Sequence, residues 1–146
     1  MIERPHANSN FLVDLGYGDS NSFSGGFCEV VFPKFPVDAT SVATPHPDEP
    51  GDGPDHGGRS HFLILRRGAT GALDLYDWWS EARRGKAPKI RTVKITLLAD
   101  DHAKAVFTWY FHGARPVSLS YSALNAMDGG VLLESIELAF DSMEMR

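Results

Sequence analysis

The apolar and polar positions of this chain alternate over most of its length, as half-buried β-strands do. Arg91 to Leu97 is the clearest case, with Val93, Ile95 and Leu97 on one face and Thr92, Lys94 and Thr96 on the other. Ala105 to His112 places Phe107, Trp109 and Phe111 on one side. The turn residues Asp100, Asp101 and His102 lie between these segments, which predicts an antiparallel hairpin. Further strands are predicted over Asn10–Leu15, Phe27–Phe32 and His61–Arg67, the second stopped by Pro33 and Pro36 and the third by Gly68. A turn around Gly113-Ala114-Arg115-Pro116 then precedes a short strand near Val117–Leu119. Val131 to Phe140 is the last predicted strand. Its apolar face changes parity around Leu133 to Ile136, which predicts a bulge or a face that meets another chain.

One segment has the other periodicity. Leu75, Trp78, Trp79 and Ala82 fall at i, i+3, i+4 and i+7 and predict a helix over about residues 71–84. Thr70 is its expected N-cap, Asp74 adds negative charge to the first turn, Arg83 and Arg84 suit the C-terminal dipole, and Gly85 suits the position after the end. The fold class is therefore mainly β, an antiparallel barrel or sandwich with one inserted α-helix. Several strands are apolar on both faces, notably Phe62–Leu65 and Ala105–Phe111, and neighbouring subunits are the natural cover for a second apolar face.

Two stretches break the pattern. Gly16 to Gly26 is rich in glycine and serine. Thr44 to Gly58 holds four prolines and four glycines and no apolar residue, so it has nothing to bury against its ordering entropy. It lies within a predicted exposed, Pro/Gly/acid-rich loop at about 38–60.

Composition narrows the class. The 146 residues are 42% apolar and 23% charged, which suits a single domain over 1–146. No apolar run is long enough to span a bilayer, and the first residues carry no signal-peptide core, so no membrane anchoring is expected. A single cysteine, Cys28, excludes an internal disulfide framework and points to synthesis in a reducing cytoplasm. The net charge of −5 argues against a general nucleic-acid binder. Its distribution is more informative. Asp38, Asp48, Glu49, Asp52 and Asp55 stand against Arg59 alone, whereas Arg83, Arg84, Lys86, Lys89, Arg91 and Lys94 form a segment with no acid. Acidic and basic segments on one small domain suit head-to-tail self-association, and solvated loops would give the same pattern.

No reaction is nominated. His46, His56 and His61 beside Asp48, Asp52 and Asp55 fit no calcium-loop or His-Glu-x-x-His spacing, so no metal site is predicted. Cys28 sits in an apolar strand, where a cysteine is expected to act as a small buried hydrophobe. No Gly-x-Ser-x-Gly elbow and no Walker-type lysine occurs. Glu134 and Glu137 have opposite strand parity and do not form a paired-carboxylate site. Phe107, Trp109, Tyr110 and Phe111 near Arg91 and Lys94 would suit stacking of single-stranded nucleic acid, but core packing explains them with fewer assumptions. Catalytic residues and cofactors are expected to be none.

An ordered set of landmarks resembles the tail tube proteins of contractile-tailed phages and of related contractile injection systems. These are Phe11-Leu12-Val13 with Asp14, Gly26-Phe27-Cys28-Glu29-Val30, Leu65-Arg66-Arg67-Gly68, Leu75-Tyr76-Asp77-Trp78 with Glu81-Ala82, and Arg91 to Leu97. They continue with Trp109, Ala114-Arg115-Pro116-Val117, Leu124-Asn125-Ala126 and Leu133 to Leu138. The resemblance spans about residues 10–145. It implies a structural inner-tube subunit, assembling with itself into hexameric rings that stack into a hollow tube inside a sheath. Implied partners are sheath, baseplate and tape-measure or cargo proteins, with nucleic acid only as lumen cargo. The chain would be made in the cytoplasm and end in a phage tail or phage-like particle.

The likeness lapses at Phe32 to Ser60, where the family has an extended hairpin that makes much of the contact between subunits and rings. Contact between subunits is accordingly expected at Phe32, Phe35 and Val37, and, from the basic segment, at Arg83, Arg84 and Lys86. The lapse keeps two alternatives open. One is a tube-initiating or terminal adaptor ring of the same machine. The other is a small non-enzymatic β-domain that binds a ligand or single-stranded nucleic acid.

Overall fold

The computed structural model describes residues 6–16, 26–37, 62–85, 90–101 and 104–146. The 38–60 segment, His46, His56, His61, Lys86 and most of the Gly16–Gly26 stretch lie outside the described residues.

The elements in chain order are β1 (Phe11–Asp14), β2 (Phe27–Val31), β3 (Leu63–Gly68), α1 (Asp74–Arg83), β4 (Arg91–Leu98), β5 (Ala105–Tyr121), β6 (Leu133–Ala139) and β7 (Ser142–Met145). Every pairing is antiparallel. The strand path runs β1-β4-β5-β6-β3-β2, with β7 also on β5. It makes two four-stranded layers that share one strand, because the first half of β5 pairs β4 and β7 and its second half pairs β6. Alternation then decides the core. Val13, Val93, Ile95 and Phe111 point in from one layer and Leu63, Leu65, Ile136 and Leu138 from the other.

The predicted hairpin of β4 and β5 is present, with Ile95 opposite Trp109 and Val93 opposite Phe111. The predicted turn at Gly113–Pro116 and the separate strand after it are not. β5 runs unbroken for 17 residues. The strand bends there: Gly113 takes a φ of +71° and the register slips between Pro116 and Ser118, so one strand can serve two layers. The bend is crowded. Arg115 Nη1 donates to Gly113 O and to Asp141 Oδ1, both at 2.9 Å. A Cβ on Gly113 would lie 2.1 Å from Asp141 Oδ2 and 2.6 Å from its Cγ. Gly113→Ala should therefore cost about 1–2 kcal/mol for the left-handed backbone, plus the loss of the Asp141–Arg115 pair as Asp141 swings away. Urea denaturation of the variant measures this; an unchanged midpoint would show that the bend does not need glycine.

The other expectations divide. No parity change occurs in β6: Glu134, Ile136 and Leu138 all point inward, and the register slip lies in β5 instead. The terminal strand β7 was not expected. The helix starts at Asp74 with Leu73 at its N-cap position, and no side chain caps it, so Thr70 does not serve. Leu75 and Trp78 are buried as the stripe predicts, and Gly85 has the positive φ expected past the helix end. Cys28 is exposed, not buried: it is the extra residue at the register slip between Phe27 and Glu29, so it leaves the inward alternation of β2.

A candidate assembly surface

Free sheet edges frame the first part of the surface. β1 ends one layer and β2 ends the other, and among the described residues each has a pairing partner on one side only. Between them lies a crevice of about 640 Å³, lined by Phe11, Val30, Phe32, Leu97 and Trp109, with Cys28 and His6 also at its wall. Phe32 packs against Trp109 with ring centroids 4.9 Å apart and planes tilted by 50°, and Phe35 reaches Phe111 at 6.1 Å and Phe140 at 6.5 Å. Pro33 is buried between these two phenylalanines. The segment after β2 is thus laid across aromatic residues of β5 yet leaves Phe32, Phe35 and Val37 exposed. Arg83 and Arg84 stand elsewhere, at the end of α1, with the Arg83 guanidinium over the Trp79 ring at 5.1 Å. The structure brings Phe32 and Phe35 together and does not join them to the two arginines.

The second part is a loop of unusual composition. Residues 122–132 join β5 to β6 and are held at their base by backbone bonds from Ser122 N to Leu133 O and from Ala69 N to Leu132 O, both 2.9 Å. Their apolar side chains nevertheless point into solvent: Leu124 is 86% exposed, Met127 94% and Val131 76%.

Beneath that loop is a buried polar cluster. Arg67 and Glu134 are opposite each other on β3 and β6, and both point into the core. The Arg67 Nε donates to Glu134, and its two terminal nitrogens donate to Asp74 at the start of α1. Burial works against the charge on Arg67, but hydrogen bonds and opposite charges from Asp74 and Glu134 outweigh it and raise its pKa. Burial also raises the pKa of Tyr121, as does the nearby Glu134 carboxylate, to which the phenol donates. The cluster ties strand, strand and helix together.

The outer face of the first layer is polar. His112 Nε2 lies 2.8 Å from Glu144 Oε1, and that hydrogen bond holds the Glu144 carboxyl below its ordinary value. Lys94 and Arg146 both rest on the Tyr110 ring, at 5.7 and 4.7 Å. Among the described residues no group of three or more His, Cys, Asp or Glu side chains could hold a metal ion, and no helix is long and apolar enough to cross a membrane. Sequence reasoning missed the 122–132 loop and the Arg67 cluster. The only signal for the first is Leu124 and Met127 in a stretch otherwise rich in turn residues, and for the second an unexplained glutamate in an apolar register.

The profile of the family described as T4-like virus tail tube protein gp19 matches residues 8–144. The chain belongs to that family. No curated protein sequence matches it. Solved structures share the fold of this chain at low identity. A chain from the sheath-tube complex of an extracellular contractile injection system, PVC, in its extended state is 22% identical with a TM-score of 0.73, over 99% of this chain and 93% of that one. A chain from the sheath/tube terminator of the same system is 21% identical with a TM-score of 0.74, over 100% and 99%. A chain from the anti-feeding prophage tube terminating cap is 17% identical with a TM-score of 0.73, over 100% and 93%. The chain is thus a member of a phage tail tube family, and it shares its fold with chains of tube, terminator and cap assemblies.

Proposed function

We propose that the chain is the inner-tube subunit of such a particle: copies of it close into hexameric rings, and rings stack into a hollow conduit inside a sheath. The observation that carries this is the family match across residues 8–144. Two physical features support it. Among the described residues, strands β1 and β2 each present an unpaired edge, which an isolated soluble sheet seldom leaves so open. Large apolar side chains stand in solvent at both the crevice and the 122–132 loop. The work is mechanical and needs no catalytic residue. The whole of 1–146 acts as one tail-tube-like domain, with 38–60 as an insertion. Phe32, Phe35 and Val37 contribute to contacts between subunits, and so do Arg83, Arg84 and Lys86, with the acidic segment as their natural counterpart. Sheath, baseplate and tape-measure or cargo proteins complete the particle, after synthesis in the cytoplasm.

A second reading keeps the machine and changes the place. The family hairpin is replaced at 32–60, and a ring lacking that contact would serve as a tube-initiating or terminal ring. Negative-stain microscopy and mass photometry of the purified chain at high concentration, alone and with its sheath and baseplate partners, test both readings. Stacked rings of six copies are expected. Single rings that never stack favour the terminal position, and a lone monomer under all these conditions overturns the assignment.

A further inference from the structure

The 122–132 loop and the crevice lie at opposite ends of β5. The loop leaves β5 after Tyr121, whereas Phe107 and Trp109 near the strand's start flank or line the crevice. One chain cannot bring them together, because a strand of 17 residues at about 3.3 Å each separates its ends by tens of ångströms even when bent. Two chains set head to tail can.

We propose that the loop of one copy seats in the β1–β2 crevice of the next, with Leu124 and Met127 as the inserted side chains. This rests on the ring-forming reading above and names the contact it leaves open. The area supports a second copy as the occupant. Tyr121, Leu124, Met127 and Val131, with Leu73 and Tyr76 at the adjoining start of α1, are between 41% and 94% exposed. Large side chains bury on the order of 150 Å² or more each, so this end leaves roughly 600 Å² of mostly apolar surface open, most of the about 800 Å² that one partner gives to a standard interface. A monomer's largest patch seldom exceeds that. The crevice has room for several side chains and offers aromatic and aliphatic walls, Phe11, Val30, Phe32 and Trp109. Among the described residues the outer edges of β1 and β2 also carry no strand, so their backbone donors and acceptors face the crevice's surroundings. A contact between two different surfaces of the same chain is heterologous. It closes into a ring when the rotation allows and otherwise runs on as a filament, the two ways in which a tube is built.

The single cysteine makes the contact testable. Cys28 is exposed at the crevice wall, and the loop holds no thiol. Met127→Cys protein is assembled, checked for rings by microscopy, and treated with a short bismaleimide. A ladder of covalent multimers on denaturing gels is expected, falling to dimers at most when Cys28→Ser is added. In parallel, Leu124→Asp should abolish rings while leaving the far-ultraviolet dichroism of the monomer unchanged. Rings without a ladder, or rings that survive Leu124→Asp, overturn this contact and leave the tube reading standing. An unaltered chain that never forms rings overturns both.

Discussion

Arg67→Met is expected to lower the unfolding free energy by about 3–5 kcal/mol, the scale for breaking a buried ion pair by removing one partner. The side chains of Arg67 and Glu134 are each 5% exposed, so water does not stand in for the lost guanidinium. Without it, Glu134 keeps the Tyr121 phenol as its partner among the described residues, and Asp74 loses the donors that tie the start of α1 to β3. The variant should carry a pH signature that a simple packing defect lacks. A carboxylate stranded in the core has a folded-state pKa above its unfolded one, so its neutral form is favoured. Such a group contributes stability below the unfolded pKa and loses it as pH rises through the folded pKa. The deficit of Arg67→Met should therefore shrink between pH 7 and pH 5, with Glu134→Gln in the same background removing the pH dependence. Urea denaturation at the two pH values measures this. A deficit under about 1 kcal/mol that does not change with pH would mean that the cluster behaves as an ordinary solvated surface pair. Arg67→Lys should not restore the wild-type value, since an ammonium cannot reach two carboxylates with a planar fork.

That cluster shows why the sequence reads only part of the way. β4 was legible because Val93, Ile95 and Leu97 alternate with polar residues, a local pattern that needs no partner to be understood. Glu134 was not, because the residue that makes it an inward position is Arg67, 67 positions away. Read alone, a glutamate beside Leu133 and Ile136 looks like a change of face. β5 was read as two strands because Gly113 and Pro116 are turn residues by every local rule. In the fold they bend a strand that continues, with the positive φ at Gly113 and the slip at Pro116 turning it from one layer to the other. Cys28 follows from pairing in the same way: nothing in Phe27–Val31 says that the register against β3 slips at this residue. Phe32 and Phe35 are expected at contacts only through the family likeness; their own sequence carries no sign of it. Leu124 and Met127 were part of that likeness or next to it, but their exposure is a property of a loop held by its base alone.

Trp78→Ala should be the second large loss, about 3–5 kcal/mol for a fully buried aromatic cut back to a methyl. Trp78 is 1% exposed, lies in the middle of α1, and carries the Arg91 guanidinium 4.7 Å over its ring. A helix of ten residues is too short to persist by its own hydrogen bonds, so it exists because something holds it against β5. The indole in the middle is one anchor, and the Arg67–Asp74 pair is a second, tying the start of the helix to β3. Trp79→Ala supplies the internal control, since that ring is half-buried and covered by Arg83, and its loss should be well below that of Trp78→Ala. The two anchors act on one helix, so Arg67→Met and Trp78→Ala together should cost less than their sum: a helix already detached by one change has less to lose from the other. Even so, the double variant approaches the whole stability of an ordinary domain, about 5–15 kcal/mol. It should be unfolded or nearly so as a monomer in urea titrations, while each single variant still shows a cooperative transition. Fully additive losses would mean that the anchors hold separate parts of the fold. A Trp78→Ala loss no larger than that of Trp79→Ala would mean that α1 does not depend on the buried indole.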